Sequence, residues 1–289
     1  MQSKATPQVR PSVKATGQKA TGSIFRVLNK FVFGESPAAV QDHPLYEKYG
    51  EAFEFYVQAE AWRQQESLEE AVRFYQRALS IHPQFHEAYV GLGRCFRRRG
   101  DLKNAITAYQ RAISLNQFSV DAHIDLAKSL HEAGFLDKAV HHFRRAIRLA
   151  PADIEAKFNL ALCLELNDQM MDASDVYVDI IEQDEAFAPA YNNLGSIYMR
   201  LGRYRQAEGL FRELLVLAPD FTRAFLGLAI CLDRTNRPKD ALPYYEKLLL
   251  SRYHSRNREF IEGRIRTIRR YVGLKAHTTN TGLQLVRVK

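Results

Sequence analysis

The sequence predicts an all-α protein, a right-handed superhelical solenoid of six helix-turn-helix repeats with a C-terminal capping helix. Three observations predict it. The 289-residue chain repeats itself with a period of 34, in frames that open at Ala52, His86, Val120, Ile154, Ala188 and Thr222 with no insertion or deletion between them. Within each frame positions 4, 7, 8 and 11, and again 20, 24 and 27, share one face of a 3.6-residue helix, so a frame encodes two amphipathic helices. A composition 46% apolar and 26% charged supplies enough hydrophobic material for a folded core and excludes disorder throughout. One such pair cannot bury its apolar face alone. Neighbours therefore stack, and a small rotation per repeat leaves a concave wall lined by the first helix of each pair.

Residues 1–42 lack helical periodicity, carry the tandem Lys14-Ala-Thr-Gly and Lys19-Ala-Thr-Gly, and read as a flexible basic segment. Inside it, the short amphipathic stretch 24–33 interleaves seven large apolar residues with Arg26 and Lys30. Folding back over the first repeat is favoured there over lying on an anionic membrane, because terminal repeats need covering. His43-Pro44 should start the first long helix, and the repeats fill 43–255. Position 20 is Ala71, Ala105, Ala139, Ala173, Ala207 and Ala241, as expected where two helices approach closely. Position 24 is always aromatic (Tyr75, Tyr109, Phe143, Tyr177, Phe211, Tyr245) and position 8 always small (Ala59, Gly93, Ala127, Ala161, Gly195, Ala229), a recurring knob and hole. Position 15 (Glu66, Gly100, Gly134, Asp168, Gly202, Asn236) holds mostly residues that tolerate the left-handed backbone that ends a helix. Pro83, Pro151 and Pro219 stand just before the next helix, where a missing donor does no harm. Residues 256–273 form the capping helix, with Phe260, Ile261, Ile265, Ile268 and Val272 as its sealing face, and 274–289 a flexible tail.

These columns resemble the tetratricopeptide repeat. Its order of aromatic, Leu-Gly, aromatic, Ala, aromatic and Pro is met by Tyr191, Leu194, Gly195, Tyr198, Ala207, Phe211 and Pro219. The likeness spans residues 52–255, about seven tenths of the chain, with departures at Gln58, Lys157 and Ile180. It implies a non-enzymatic protein–protein interaction scaffold or adaptor that binds a peptide segment of a partner in its concave groove.

The net charge of +8 is unevenly placed. The two ends, 1–45 and 254–289, together carry a surplus of eleven positive charges, which leaves the repeat array at −3. A helical-repeat RNA binder is therefore the weaker reading, because nucleic-acid affinity rests on phosphate neutralisation along the binding surface. A regulatory subunit recruited to a membrane by the N-terminal segment is weaker still. No catalytic constellation stands out. Gly17-Gln-Lys-Ala-Thr-Gly22-Ser23 lacks the lysine and the preceding strand of a phosphate loop. His131-Glu132 lacks a second histidine, His82 and His86 straddle Pro83, and His141 and His142 point to different faces, so no metal or other cofactor and no small-molecule substrate is implied. Cys95, Cys163 and Cys231, all at position 10 and 68 residues apart, read as buried packing residues in a reducing, cytoplasmic compartment.

The candidate peptide-binding wall is read through the inward positions of the first helices. Position 5 gives the apolar series Val90, Ile124, Phe158 and, breaking it, Asn192, with Leu162 beside Phe158. Position 6 gives Asp125, Asn159 and Asn193, and is similar to the asparagine ladder of the repeats attached to O-linked N-acetylglucosamine transferases, which implies amide contacts to a ligand backbone. Arg94, Arg97, Arg98 and Lys128 form a basic run that can take an acidic peptide or close on internal carboxylates, the two readings being equally weighted. The carboxylate clamp of cochaperone members, which resembles Lys at position 5 with Asn at position 9, is missing. On the cap, Arg266, Arg269 and Arg270 form a secondary basic surface for an acidic partner or nucleic acid.

Overall fold

A computed structural model describes residues 43–250, 257–271, 277–279 and 282–284. The N-terminal segment with its stretch 24–33, together with Arg256 and Val272 of the expected cap, lies outside the described residues. The chain divides into two compact units at Ala150 and Pro151. In the first unit α1 (Pro44–Tyr49) precedes three pairs: α2 (Glu51–Gln64) with α3 (Leu68–Ile81), α4 (His86–Arg98) with α5 (Leu102–Leu115), and α6 (Val120–Glu132) with α7 (Leu136–Leu149). The second unit pairs α8 (Ile154–Leu166) with α9 (Met170–Gln183), α10 (Ala188–Arg200) with α11 (Tyr204–Leu217), and α12 (Thr222–Arg234) with α13 (Pro238–Leu250). There α14 (Arg258–Tyr271) packs on α13 as the cap. Within each unit every first helix packs on its own second helix, and that second helix on the next first helix.

The frames meet the helices in phase. First helices fill positions 1–13, and second helices begin at position 17 in all six repeats. Asp101, Ser119 and Asp153 cap α5, α6 and α8, each side chain accepting from a backbone N–H three residues on, at 3.1, 3.3 and 2.8 Å. Every first helix ends on a left-handed residue at position 15: Glu66, Gly100, Gly134, Asp168, Gly202 and Asn236 have φ of 60°, 78°, 81°, 58°, 73° and 61°.

The aromatic column is the core of both units, and its six rings are buried with the Ala column beside them. Each ring buried in this way contributes on the order of 2–3 kcal/mol. The knob-and-hole reading holds at atomic scale, since a Cβ at Gly93 would lie 2.6 Å from the Tyr109 ring and one at Gly195 2.8 Å from Phe211. The fourth frame's irregular Lys157 is buried but satisfied, its Nζ donating to Gln183 Oε1 at 2.7 Å and pairing with Asp179 at 2.6 Å.

Two expectations need correction, and one segment has more structure than expected. His43-Pro44 opens a six-residue helix, with His43 Nδ1 accepting from Leu45 N at 3.1 Å, and the long helix starts afresh at Glu51 because Gly50 turns the chain at φ 52°, ψ −128°. In the cap Ile261, Ile265 and Ile268 are buried, but Phe260 is 50% exposed, its ring edge-on to Tyr245 at 6.3 Å. The segment 274–289, expected as a loose tail, contains an antiparallel ladder of β1 (His277–Thr279) and β2 (Gly282–Gln284), with His277 opposite Gln284.

Candidate functional site

The inward face of the first unit is built from α2, α4 and α6. Tyr56 and Ile124 are half-buried and Val90 is buried. Val90 lines a pocket of about 170 Å³ with Tyr56, His86, Glu87, Arg94 and Asp121. The basic run is closed on itself. Arg94 donates through Nε to Asp125 Oδ2 at 2.6 Å and through Nη2 to Asp121 Oδ2 at 2.8 Å. Arg97 donates to Glu132 at 2.8 Å and Arg98 to Glu66. Burial works against the Arg94 charge, and Asp125 and Asp121 more than offset it, so its proton is held more tightly than usual. The half-buried Lys128 lies on α6. Of the two readings of Arg94, Arg97 and Arg98, this geometry carries the internal salt-bridge face; an acidic ligand would have to displace carboxylates already in place.

At its two glycines, position 6 abuts the aromatic ring of the preceding repeat. A Cβ at Gly91 would lie 2.4 Å from the Tyr75 ring, and one at Gly227 2.4 Å from Phe211. Asp125 is 6% exposed and spent on Arg94. In the second unit, Asn192 Nδ2 donates to Asn193 Oδ1 at 2.9 Å, Asn193 Nδ2 to Tyr177 Oη at 2.9 Å, and Tyr177 Oη to Glu165 at 2.6 Å. Burial and the Glu165 carboxylate both push the Tyr177 hydroxyl up from its ordinary range, which keeps it a donor. Asn159 Nδ2 donates to the Glu155 carbonyl of its own helix at 2.8 Å. The asparagines thus spend part of their amide groups on the protein itself.

What the second unit leaves open is apolar. Phe158, Leu162, Leu226 and Ile230, at positions 5 and 9 of α8 and α12, are all half-buried. Phe158 stands edge-on to Tyr177 at 5.9 Å and to Phe187 at 5.3 Å. Beside Ile230 a pocket of about 470 Å³ is completed by Asp233, Arg234, Tyr245, Phe260 and Arg264. Arg264 grips Asp233 with two bonds of 2.8 and 2.6 Å. The sequence reading used Phe260 as a seal and did not single out Arg264, and so missed this pocket. The secondary basic surface is likewise thinner than expected: Arg266 and Arg270 are exposed, but Arg269 is 8% exposed and bonded to Glu246 at 3.0 Å.

Cys95, Cys163 and Cys231 are buried free thiols. Among the described residues no cluster of three His, Cys, Asp or Glu side chains could hold a metal ion. In the same set no helix is long and apolar enough to cross a membrane.

A tetratricopeptide repeat family model matches residues 56–120, 124–185 and 192–255. The chain belongs to the tetratricopeptide repeat family. The protein O-mannosyl-transferase Tmtc3 of Drosophila melanogaster is 35% identical over 75 residues, which cover 26% of this chain and 8% of that protein. The chain thus spans about 8% of the length of the curated relative it matches. Among solved structures, YrrB, a TPR protein with an unusual peptide-binding site, is 23% identical over 63% of this chain and 94% of its own, with a TM-score of 0.55. MamA from Desulfovibrio magneticus is 19% identical over 57% and 93%, with a TM-score of 0.53. PilF from Pseudomonas aeruginosa is 16% identical over 73% and 97%, with a TM-score of 0.60. At these identities the likeness is one of fold: stacked helix-turn-helix repeats, an architecture typical of protein–protein interaction.

Proposed function

We propose that the chain is a non-enzymatic interaction scaffold, an adaptor that holds a peptide segment of a partner protein against the first helices of its second unit. The observation that carries this reading is the set of half-buried apolar side chains at the inward positions, Phe158, Leu162, Leu226 and Ile230, with the pocket under Phe260 beside Ile230. Apolar residues left open in this way mark interfaces, and a few such anchors carry most of the binding energy. Asn193, pinned by Tyr177 and Asn192, keeps a further amide hydrogen with which to hold a ligand's backbone in register.

The test is the double variant Leu162→Glu with Leu226→Glu. Both side chains are half-buried at the inward surface, so the helical circular dichroism should persist and Tm should hold within about 4 °C. Recovery of the native partner in affinity purification with mass spectrometry should fall about tenfold or more. Undiminished recovery from a folded double variant overturns the proposal.

A further inference from the structure

On α11, away from the inward positions of the first helices, two recesses meet at one residue. The first, of about 480 Å³, is lined by Arg205, Glu208, Gly209, Arg212, Thr235 and Arg237. The second, of about 310 Å³, is apolar along Val178, Ile181 and Leu210 but also lined by Glu182 and Glu213, and Gly209 borders it too. Gly209 sits in the interior of α11, where glycine weakens a helix, yet a Cβ there would find nothing within 4 Å. No contact among the described residues calls for the missing side chain. Its absence leaves the ridge between the basic recess and the apolar one bare.

The basic recess is organised around a carboxylate. Glu208 is 9% exposed and accepts from Arg212 Nε at 3.0 Å and from Arg237 Nη2. Each guanidinium has five N–H groups, so both keep donors beyond those given to Glu208, in orientations that the shared carboxylate holds. Arg205 is exposed and makes no hydrogen bond or ion pair among the described residues. Three arginines against one glutamate leave the recess at +2. A phosphomonoester, at about −1.5 to −2 near neutral pH, closes that charge where one carboxylate leaves it half open.

We infer that this face is a docking site for a peptide that bears phosphoserine or phosphothreonine next to an apolar side chain. The phosphate sits among Arg205, Arg212 and Arg237, the peptide backbone crosses the bare ridge at Gly209, and the apolar side chain enters the groove between Ile181 and Leu210.

The full chain, at low ionic strength, is titrated with three fluorescent peptide libraries of one design, fixed at phosphoserine, serine or glutamate and degenerate around that position. The phosphoserine library should bind about tenfold or more tightly than either other library. Arg205→Gln should weaken it about tenfold, and so should Gly209→Gln, which fills the ridge while improving helix propensity, so its Tm should not fall. That combination of a held or raised Tm with lost binding is one a purely structural residue cannot produce. Equal binding of the serine or glutamate library overturns the inference, as does full binding by Gly209→Gln or a preference for vesicles of anionic lipid over the phosphopeptides.

Discussion

The two units share one frame and contrast at position 9 in it. At position 9 the first unit places Glu60, Arg94 and Lys128, and the second places Leu162, Ser196 and Ile230. In the first unit the inward face is tied by charges: Glu60 takes Arg63 and Tyr75, and Arg94 holds Asp121 and Asp125. In the second it is left apolar, and its polar groups are drawn into the chain from Asn192 to Glu165. A repeat array can therefore keep its packing columns constant while an inward column switches a surface between self-satisfied and open. Ion pairs there trade affinity for rigidity.

The sharpest break in this contrast should come from Asp125→Ala, which removes the buried carboxylate on Arg94 Nε and leaves the guanidinium with the exposed Asp121 alone. With the Arg94 side chain 31% exposed, the cost should be about 2–3 kcal/mol in chemical denaturation, whereas Asn159→Ala in the same column should cost less than about 0.5 kcal/mol. A smaller difference separates two buried hydroxyls. Tyr177→Phe cuts the link between Asn193 and Glu165 and should cost about 1–2 kcal/mol, while Tyr109 Oη has no hydrogen-bond partner among the described residues and Tyr109→Phe should be neutral or stabilising by up to about 1 kcal/mol.

Acid should also distinguish the units. His142 stacks on His123 with their Nδ1 atoms 3.1 Å apart, and burial, reinforced by His123 and His141, lowers its pKa to about 4. His123 and His86 are lowered as well, chiefly by burial. Unfolded histidines take up protons from about pH 6.5 downward while these folded ones resist, so stability is fully present above about pH 6.5 and is lost as pH falls toward 4. Hydrogen exchange at pH 7.5 and pH 5 should show the first unit loosening by about 1–2 kcal/mol, discounted for partial exposure, and the second holding; His142→Gln should flatten the response. The smallest effect is expected at the turns: Glu66→Gly relieves a left-handed glutamate but gives up its exposed pair with Arg98, so stability, read from the denaturation midpoint, should rise by no more than about 0.5 kcal/mol.

The fold was legible because each packing role recurs six times at one address. Ala at position 20, the ring at 24 and the left-handed residue at 15 are local or within-frame requirements. The site was less legible because its partners lie in different frames. Arg94 meets Asp125 across 31 residues, Arg97 meets Glu132 across 35 and Arg264 meets Asp233 across 31. The signal was present: opposite charges about one period apart face each other on adjoining helices. Position 6 was legible only in part, since Asn193 meets the Tyr177 hydroxyl of the preceding repeat and Asn159 bonds to its own helix. No pattern in the sequence shows which amides will be spent internally, because that depends on side-chain rotation.

The cysteines carry a consequence of their own. Cys95, Cys163 and Cys231 sit at one address in the second, fourth and sixth repeats, all buried, and burial raises Cys95 to about 11 and Cys231 to about 12. A thiol in that state reacts with an alkylating reagent only when its neighbourhood opens. The chain thus contains three natural timers, one in the first unit and two in the second. The order in which they label records where the stack comes apart first, in the unmodified protein and without a fluorophore.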